Sequence, residues 1–196
     1  MFVKVCGLRT PETVDAAVEA GADAVGFVFA PGSVRLIDPA VAAELVARVP
    51  RGVETVGVFR GQPIDEVLRL ARQAGVSTIQ LHGDEPADHF ARATESGLRT
   101  IRAISAARFT AAGHAGDERL LIDATVPGSG TTFAPEDLPV PPSVGWLLAG
   151  GLRPDNVAAL IAAFGPSGVD VSSGVESTPG VKDPELIRAF VSAARF

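Results

Sequence analysis

Short apolar runs rich in β-branched residues alternate with helical patterns along all 196 residues, which predicts an α/β fold on a parallel sheet. Three observations carry this. Eight such runs occur, at residues 2–6, 24–29, 53–59, 78–81, 98–104, 120–122, 144–149 and 169–171. Their starts lie 20 to 29 residues apart, the length of a strand plus a trimmed crossover helix. No linker-like stretch divides the chain, so residues 1–196 read as a single domain. Such units build either an open doubly wound sheet or a closed eight-stranded barrel. At 24.5 residues per unit the second would be a minimal (β/α)8 TIM barrel, near the fold's lower limit of about 200 residues.

Taken in order, the first run, 2–6, is followed by Thr10, a capping residue, and by a helix over 11–20 with Pro11 in its first turn and Gly21 beyond its end. The second run leads through a Pro-Gly-Ser loop to Asp38 and a helix over 39–49. After the third run a helix over 63–74 stops at Gly75, and after the fourth a helix over 86–96 stops at Gly97. The fifth and sixth runs are followed by Gly- and Pro-rich stretches, 106–116 and 125–142, expected to be irregular or broken helices. Arg153-Pro154-Asp155 opens a helix to about Phe164, closed by Gly165, and Asp183-Pro184 opens the last one.

Composition narrows the function. The net charge is −6, which argues against a general nucleic-acid binder but leaves room for a local anion pocket. One Cys forms no intrachain disulfide and supports no multi-cysteine metal site. No basic head with an apolar core and cleavage site opens the chain, and no run of about 18 apolar residues occurs, so no membrane association and a cytoplasmic location are expected.

In a barrel, chemistry sits at the carboxyl ends of the strands. Those ends carry Cys6-Gly7, the loop leading to Ser33-Val34-Arg35, His82-Gly83-Asp84-Glu85, Asp123, Gly150-Gly151 and Asp170-Val171-Ser172-Ser173-Gly174. Glycine lets a backbone approach an anion with its N–H groups forward, and the loops after strands 7 and 8 are the usual phosphate site of such barrels. Gly150, Gly151, Ser172, Ser173 and Gly174 are therefore candidates for that site, although any single glycine reads equally as a turn former. Gly128-Ser129-Gly130-Thr131-Thr132 lacks the Gly-Lys-Ser/Thr ending of a nucleotide loop and reads as a mobile loop over the mouth. Cys6 alone reads as a buried small apolar residue as readily as a reactive thiol. Asp123 and Asp170 read as turn formers or as functional carboxylates, with Asp170 orienting its loop. Arg35 is either a solvated arginine or a fork for a carboxylate or phosphate. His82, with no cluster of His and carboxylates around it, is a supporting group rather than a metal ligand. Lys4 shares a strand face with Cys6 and points into the barrel or toward its wall.

Together these segments resemble the phosphoribosylanthranilate isomerase family of tryptophan biosynthesis. The pieces are Lys4-Val5-Cys6-Gly7-Leu8, Gly26-Phe27-Val28-Phe29 with Ser33-Val34-Arg35, Leu81-His82-Gly83-Asp84-Glu85, Leu121-Ile122-Asp123-Ala124, Leu148-Ala149-Gly150-Gly151-Leu152, and Val169-Asp170-Val171-Ser172-Ser173-Gly174-Val175-Glu176 with Pro179-Gly180 and Lys182-Asp183. They run end to end in family order. Two departures are Val34, where the family commonly has Pro, and the single Phe133, where an aromatic pair is usual after the sixth strand.

The resemblance implies the eight-stranded barrel and an Amadori rearrangement of an aminoaldose phosphate to an aminoketose phosphate, with no metal or organic cofactor. It implies Asp123 as general acid and Cys6 as general base. Arg35 would pair with the anthranilate carboxylate, Gly150, Gly151, Ser173 and Gly174 would hold the phosphate, and Val126 would help cover the aromatic ring. The expected partner is a small phosphosugar, and the chain is either a monomer or a homodimer. The chemistry requires a carboxylic acid that keeps its proton near neutral pH to protonate the ring oxygen, and a thiol brought down toward pH 7 to take the proton at sugar C2. Three other readings are weaker. The sugar isomerase of histidine biosynthesis has Asp in the place of Cys6. A non-catalytic phosphosugar-binding barrel leaves Cys6 and Asp123 without a role, and a thiol redox sensor leaves the glycine loops unexplained.

Overall fold

The structure, a computed structural model, describes residues 1–109, 118–123 and 145–195. Eight parallel strands close a barrel in chain order: β1 (Phe2–Cys6), β2 (Ala24–Val28), β3 (Glu54–Phe59), β4 (Thr78–His82), β5 (Arg99–Ser105), β6 (Arg119–Asp123), β7 (Trp146–Ala149) and β8 (Gly168–Val171), with β8 pairing back onto β1. This settles the closure the sequence left open. Helices α1 (Pro11–Glu19), α2 (Pro39–Val46), α3 (Ile64–Ala74) and α4 (Ala87–Glu95) follow the first four strands, α5 (Val157–Phe164) follows β7 and α6 (Pro184–Ala193) closes the chain. A two-stranded hairpin, β9 (Glu176–Thr178) with β10 (Val181–Lys182), lies between β8 and α6. Among the described residues no helix is long and apolar enough to cross a membrane.

The strands read as nearly continuous apolar runs because both of their faces are buried. Residues of one parity, among them Val3, Val5, Phe27, Phe59, Ile79, Leu81, Ile122 and Leu148, pack against the helices. Those of the other, among them Cys6, Ala24, Val28, Val56, Val58, Ile101, Leu121 and Leu147, fill the barrel. The amino-terminal floor of the barrel is polar, a feature the reading of strand ends did not find. The Glu54 carboxylate accepts from Thr78 and from Arg119 Nη1 (3.1 Å), and the Arg119 guanidinium lies 4.4 Å over the Phe2 ring.

The helix boundaries follow local chemistry. Thr10, Asp38 and Asp183 cap α1, α2 and α6 by accepting backbone N–H groups of the first turn, and each is followed by proline. Gly75 and Gly165 end α3 and α5 in the left-handed conformation, at φ 71° and 58°. Pro63 and Pro86, expected in the first turn, instead precede it: their ψ angles of 140° and 159° are extended, and helix begins one residue later. The helix expected over 39–49 ends at Val46, in a short turn through Val49. The stretch after β5 opens with a 3₁₀ turn at Ala106–Arg108. Residues 110–117 and 124–144 are outside the described residues, and with them Val126, the Gly128–Thr132 loop and Phe133.

Candidate active site

A cavity of about 370 Å³ opens at the carboxyl ends of the strands. Its wall includes Cys6, Arg35, His82, Asp123, Gly150, Gly151, Asp170, Ser172 and Ser173; of the other sequence-selected residues, Gly174 lies just behind the wall and Val126 is outside the described residues.

β1 delivers two residues of one face. Lys4 is fully buried and points inward, resolving the ambiguity in the sequence. Its register partner on β8 is Asp170, and Lys4 Nζ donates to Asp170 Oδ1 at 2.8 Å. Burial opposes the ammonium, but Asp170 and Cys6 together raise the Lys4 pKa, so the cation stays charged. Cys6, one step nearer the mouth, is 6% exposed. Burial pushes its thiol up, Lys4 and Lys182 pull it down, Asp170 adds to the rise, and the balance lies above the ordinary thiol value. The chemistry asks for a thiol brought down toward 7, whereas here desolvation outweighs the two ammonium groups. The rate of Cys6 alkylation by iodoacetamide is therefore expected to keep climbing with pH past the midpoint of a free thiol; a midpoint at or below that value would contradict the balance described.

β6 ends in Asp123, 8% exposed. On β4, His82 Nε2 lies 3.5 Å from Asp123 Oδ2. Burial lowers the His82 pKa, and the charge of Arg60 lowers it further, so the imidazole is neutral at pH 7. Arg60, the residue after β3, lines the cavity as well. The apolar run ends at Phe59 and does not single out Arg60, although its place directly after that run is the available signal.

Arg35, on the loop after β2, is held by Glu176 of the hairpin: Nε to Oε1 at 2.7 Å and Nη2 to Oε2 at 2.8 Å. Lys182 Nζ donates to the same Oε1 at 2.6 Å and to the Ser172 carbonyl at 2.8 Å. The Ser172 hydroxyl donates to the Cys6 carbonyl. This network, which the sequence did not reveal, ties the ends of β1 and β8 to Arg35. Gly7 permits it: at φ 79°, a Cβ there would come 2.8 Å from Arg35 Cδ. Burial disfavours the Glu176 carboxylate, yet Arg35, Lys182 and the Gly180 N–H lower its pKa to about 2. A depressed carboxyl pKa contributes stability that is fully present above its ordinary value of 4.5 and is lost as pH falls toward 2. The side chain is 4% exposed, so Glu176→Gln is expected to cost on the order of 3 kcal/mol at pH 7 and little at pH 2. Denaturant unfolding at stepped pH checks this; an equal cost at both ends would contradict it.

Gly150 and Gly151 turn the chain after β7 at φ 92° and 64°, a conformation disfavoured for side-chain residues. After β8, Ser173–Val175 forms a 3₁₀ turn. Among the described residues, the N–H groups of Gly151, Ser173 and Gly174 donate to no backbone carbonyl. Gly151 and Ser173 line the cavity, so each of the two loops brings to its wall a residue whose N–H has no such partner, the kind of donor an anion takes. Gly174 joins the two loops, since its Cα packs directly on the Leu152 carbonyl. Among the described residues no group of three or more His, Cys, Asp or Glu could hold a metal ion.

Comparison with known proteins gives this site a context. A family model described as N-(5'-phosphoribosyl)anthranilate (PRA) isomerase matches residues 3–193. The N-(5'-phosphoribosyl)anthranilate isomerase of Chromohalobacter salexigens is 45% identical over 201 residues, covering 97% of this chain and 92% of that protein. The crystal structure of TrpF from Jonesia denitrificans is 49% identical with a TM-score of 0.89, covering 100% of this chain and 97% of that one. A phosphoribosyl anthranilate isomerase solved in complex with reduced 1-(o-carboxyphenylamino)-1-deoxyribulose 5-phosphate is 32% identical with a TM-score of 0.82, covering 100% and 98%.

Proposed function

The chain belongs to the N-(5'-phosphoribosyl)anthranilate isomerase family of tryptophan biosynthesis, and from that premise we propose that it rearranges N-(5'-phosphoribosyl)anthranilate to 1-(2-carboxyphenylamino)-1-deoxyribulose 5-phosphate, with Asp123 as general acid and Cys6 as general base. The observation that supports this reading is that Asp123 and Cys6, from β6 and β1, line one cavity together with Arg35 and the turns after β7 and β8.

The substrate has an anion at each end. Its phosphate lies on the N–H groups of Gly150, Gly151, Ser173 and Gly174. Its anthranilate carboxylate pairs with Arg35. Glu176 engages two of the five guanidinium N–H groups, which fixes the plane of the fork and leaves donors for a second carboxylate. Tethering both ends places the ribosyl ring between acid and base.

Asp123 donates its proton to the ring oxygen as the C1–O bond breaks and the anilino nitrogen's lone pair forms the C1=N bond. This step needs Asp123 in its protonated form, which the neutral His82 beside it does not oppose as a cation would. The thiolate form of Cys6, the minor form of a thiol raised by burial and the one that Lys4 and Lys182 favour, then takes the proton from C2, and the C2–H electron pair moves to give the enolamine, which tautomerises to the aminoketose. Lys4, charged and anchored by Asp170, faces that thiolate and stabilises it. Asp170 thus serves behind Cys6, and Ser172 fixes the end of β1 through the Cys6 carbonyl.

An acidic side chain at the phosphate turn separates the ends of this scheme. Gly151→Asp is expected to raise KM by about tenfold or more, by placing a carboxylate where the phosphate binds and by straining a residue at φ 64°. An unchanged KM would place the phosphate elsewhere.

A further inference from the structure

Several polar side chains inside this barrel are paired. Lys4 bonds Asp170, and Thr78 and Arg119 bond Glu54. Gln80 is different. It sits on β4 two residues after Thr78 and two before His82, so it shares their inward face. It is 2% exposed, and its register partners on β3 and β5 are the apolar Val58 and Ile101. Its Oε1 is sealed from solvent with no hydrogen-bond partner among the described residues. The side chain nevertheless forms part of the cavity wall, alongside Cys6, His82 and Asp123. A buried amide oxygen without a partner destabilises the protein that carries it. It is retained at no such cost when a bound molecule supplies the partner.

We propose that Gln80 is a substrate-recognising residue whose carboxamide hydrogen-bonds a hydroxyl of the sugar chain. The assignment rests on the function proposed above, which puts the ribosyl carbons between Cys6 and Asp123. Between the phosphate and the anilino nitrogen, the polar groups of that chain are its oxygens. The carboxamide fits them in either orientation, since a half-turn exchanges donor and acceptor. A site that buries an amide for this purpose discriminates strongly against an occupant that leaves it unpaired.

The test is Gln80→Met, similar in volume and without polar ends, with three readouts: kcat and KM on phosphoribosylanthranilate, calorimetric affinity for the reduced product analogue, and the Tm of the ligand-free protein. The expected result is a loss in kcat/KM and in analogue affinity of about tenfold to a hundredfold, with Tm unchanged or raised. Unchanged kcat/KM and affinity would overturn the proposal. So would a fall in Tm with no loss of analogue affinity by the folded protein, because a structural role would be read there. If the wild type binds the analogue without turnover, the isomerase reading fails while the affinity comparison still decides on Gln80. If the wild type binds neither molecule, both fail.

Discussion

Asp123→Asn is expected to lower kcat by about a hundredfold to ten-thousandfold, with KM and thermal stability close to the wild type. The carboxamide keeps the size of the side chain at the end of β6 but has no proton to deliver to the ring oxygen. Cys6→Ser is expected to lose activity on the same scale for the opposite reason. The serine hydroxyl fits the place, but it ionises far less readily than a thiol, and the Lys4 ammonium does not make up the difference. Loss of phosphoribosylanthranilate fluorescence follows both variants. Full activity in either would remove that residue from its role. A large change in KM alone would make it a binding group.

Gly174→Ala is the second large effect. A Cβ on Gly174 would overlap the Leu152 carbonyl oxygen and press on Arg153 Cγ at 3.0 Å. Neither loop can yield cheaply, because the atom in the way is backbone and Asn156 holds the same segment through the Arg153 N–H and the Gly151 carbonyl. Relief must come from moving the turns after β7 and β8 apart, which spreads the donors that would meet the phosphate. KM is expected to rise about tenfold or more, and stability to fall by about 1–3 kcal/mol. Gly145→Ala is the control. Among the described residues its Cβ would meet only Ser167 Oγ, at an ordinary 3.6 Å, and both KM and stability should stay near the wild type. An equal response of the two variants would show that Gly174 does not couple the loops.

The barrel was legible because each strand announces itself twice. Both faces are buried, so the apolar runs are continuous, and Thr10, Asp38, Gly75 and Gly165 mark where intervening helices begin and end. What pattern did not supply was orientation and partnership. Lys4 could face either way until its register with Asp170 was known. Glu176 and Lys182 had no reason in the sequence to converge on Arg35, across 141 residues for the first pair. Gln80 sits inside an apolar run, and the burial of its Oε1 without a partner among the described residues is a property of the closed barrel alone. The thiol of Cys6 was expected to be lowered by its surroundings, and the depth of its burial reverses that balance. Motifs identify which residues meet at the mouth. The third dimension decides how each is charged, held and aimed.

The central claim is that Asp123 and Cys6 act in two successive proton transfers. The most direct measurement compares substrate carrying hydrogen or deuterium at sugar C2, with kcat read for the wild type, Asp123→Asn and Cys6→Ser. The account predicts that Cys6→Ser shows the larger isotope effect, because removal of the C2 proton then limits turnover, and that Asp123→Asn suppresses the effect, because ring opening then limits it. A larger isotope effect in Asp123→Asn than in Cys6→Ser would contradict the assignment of acid and base.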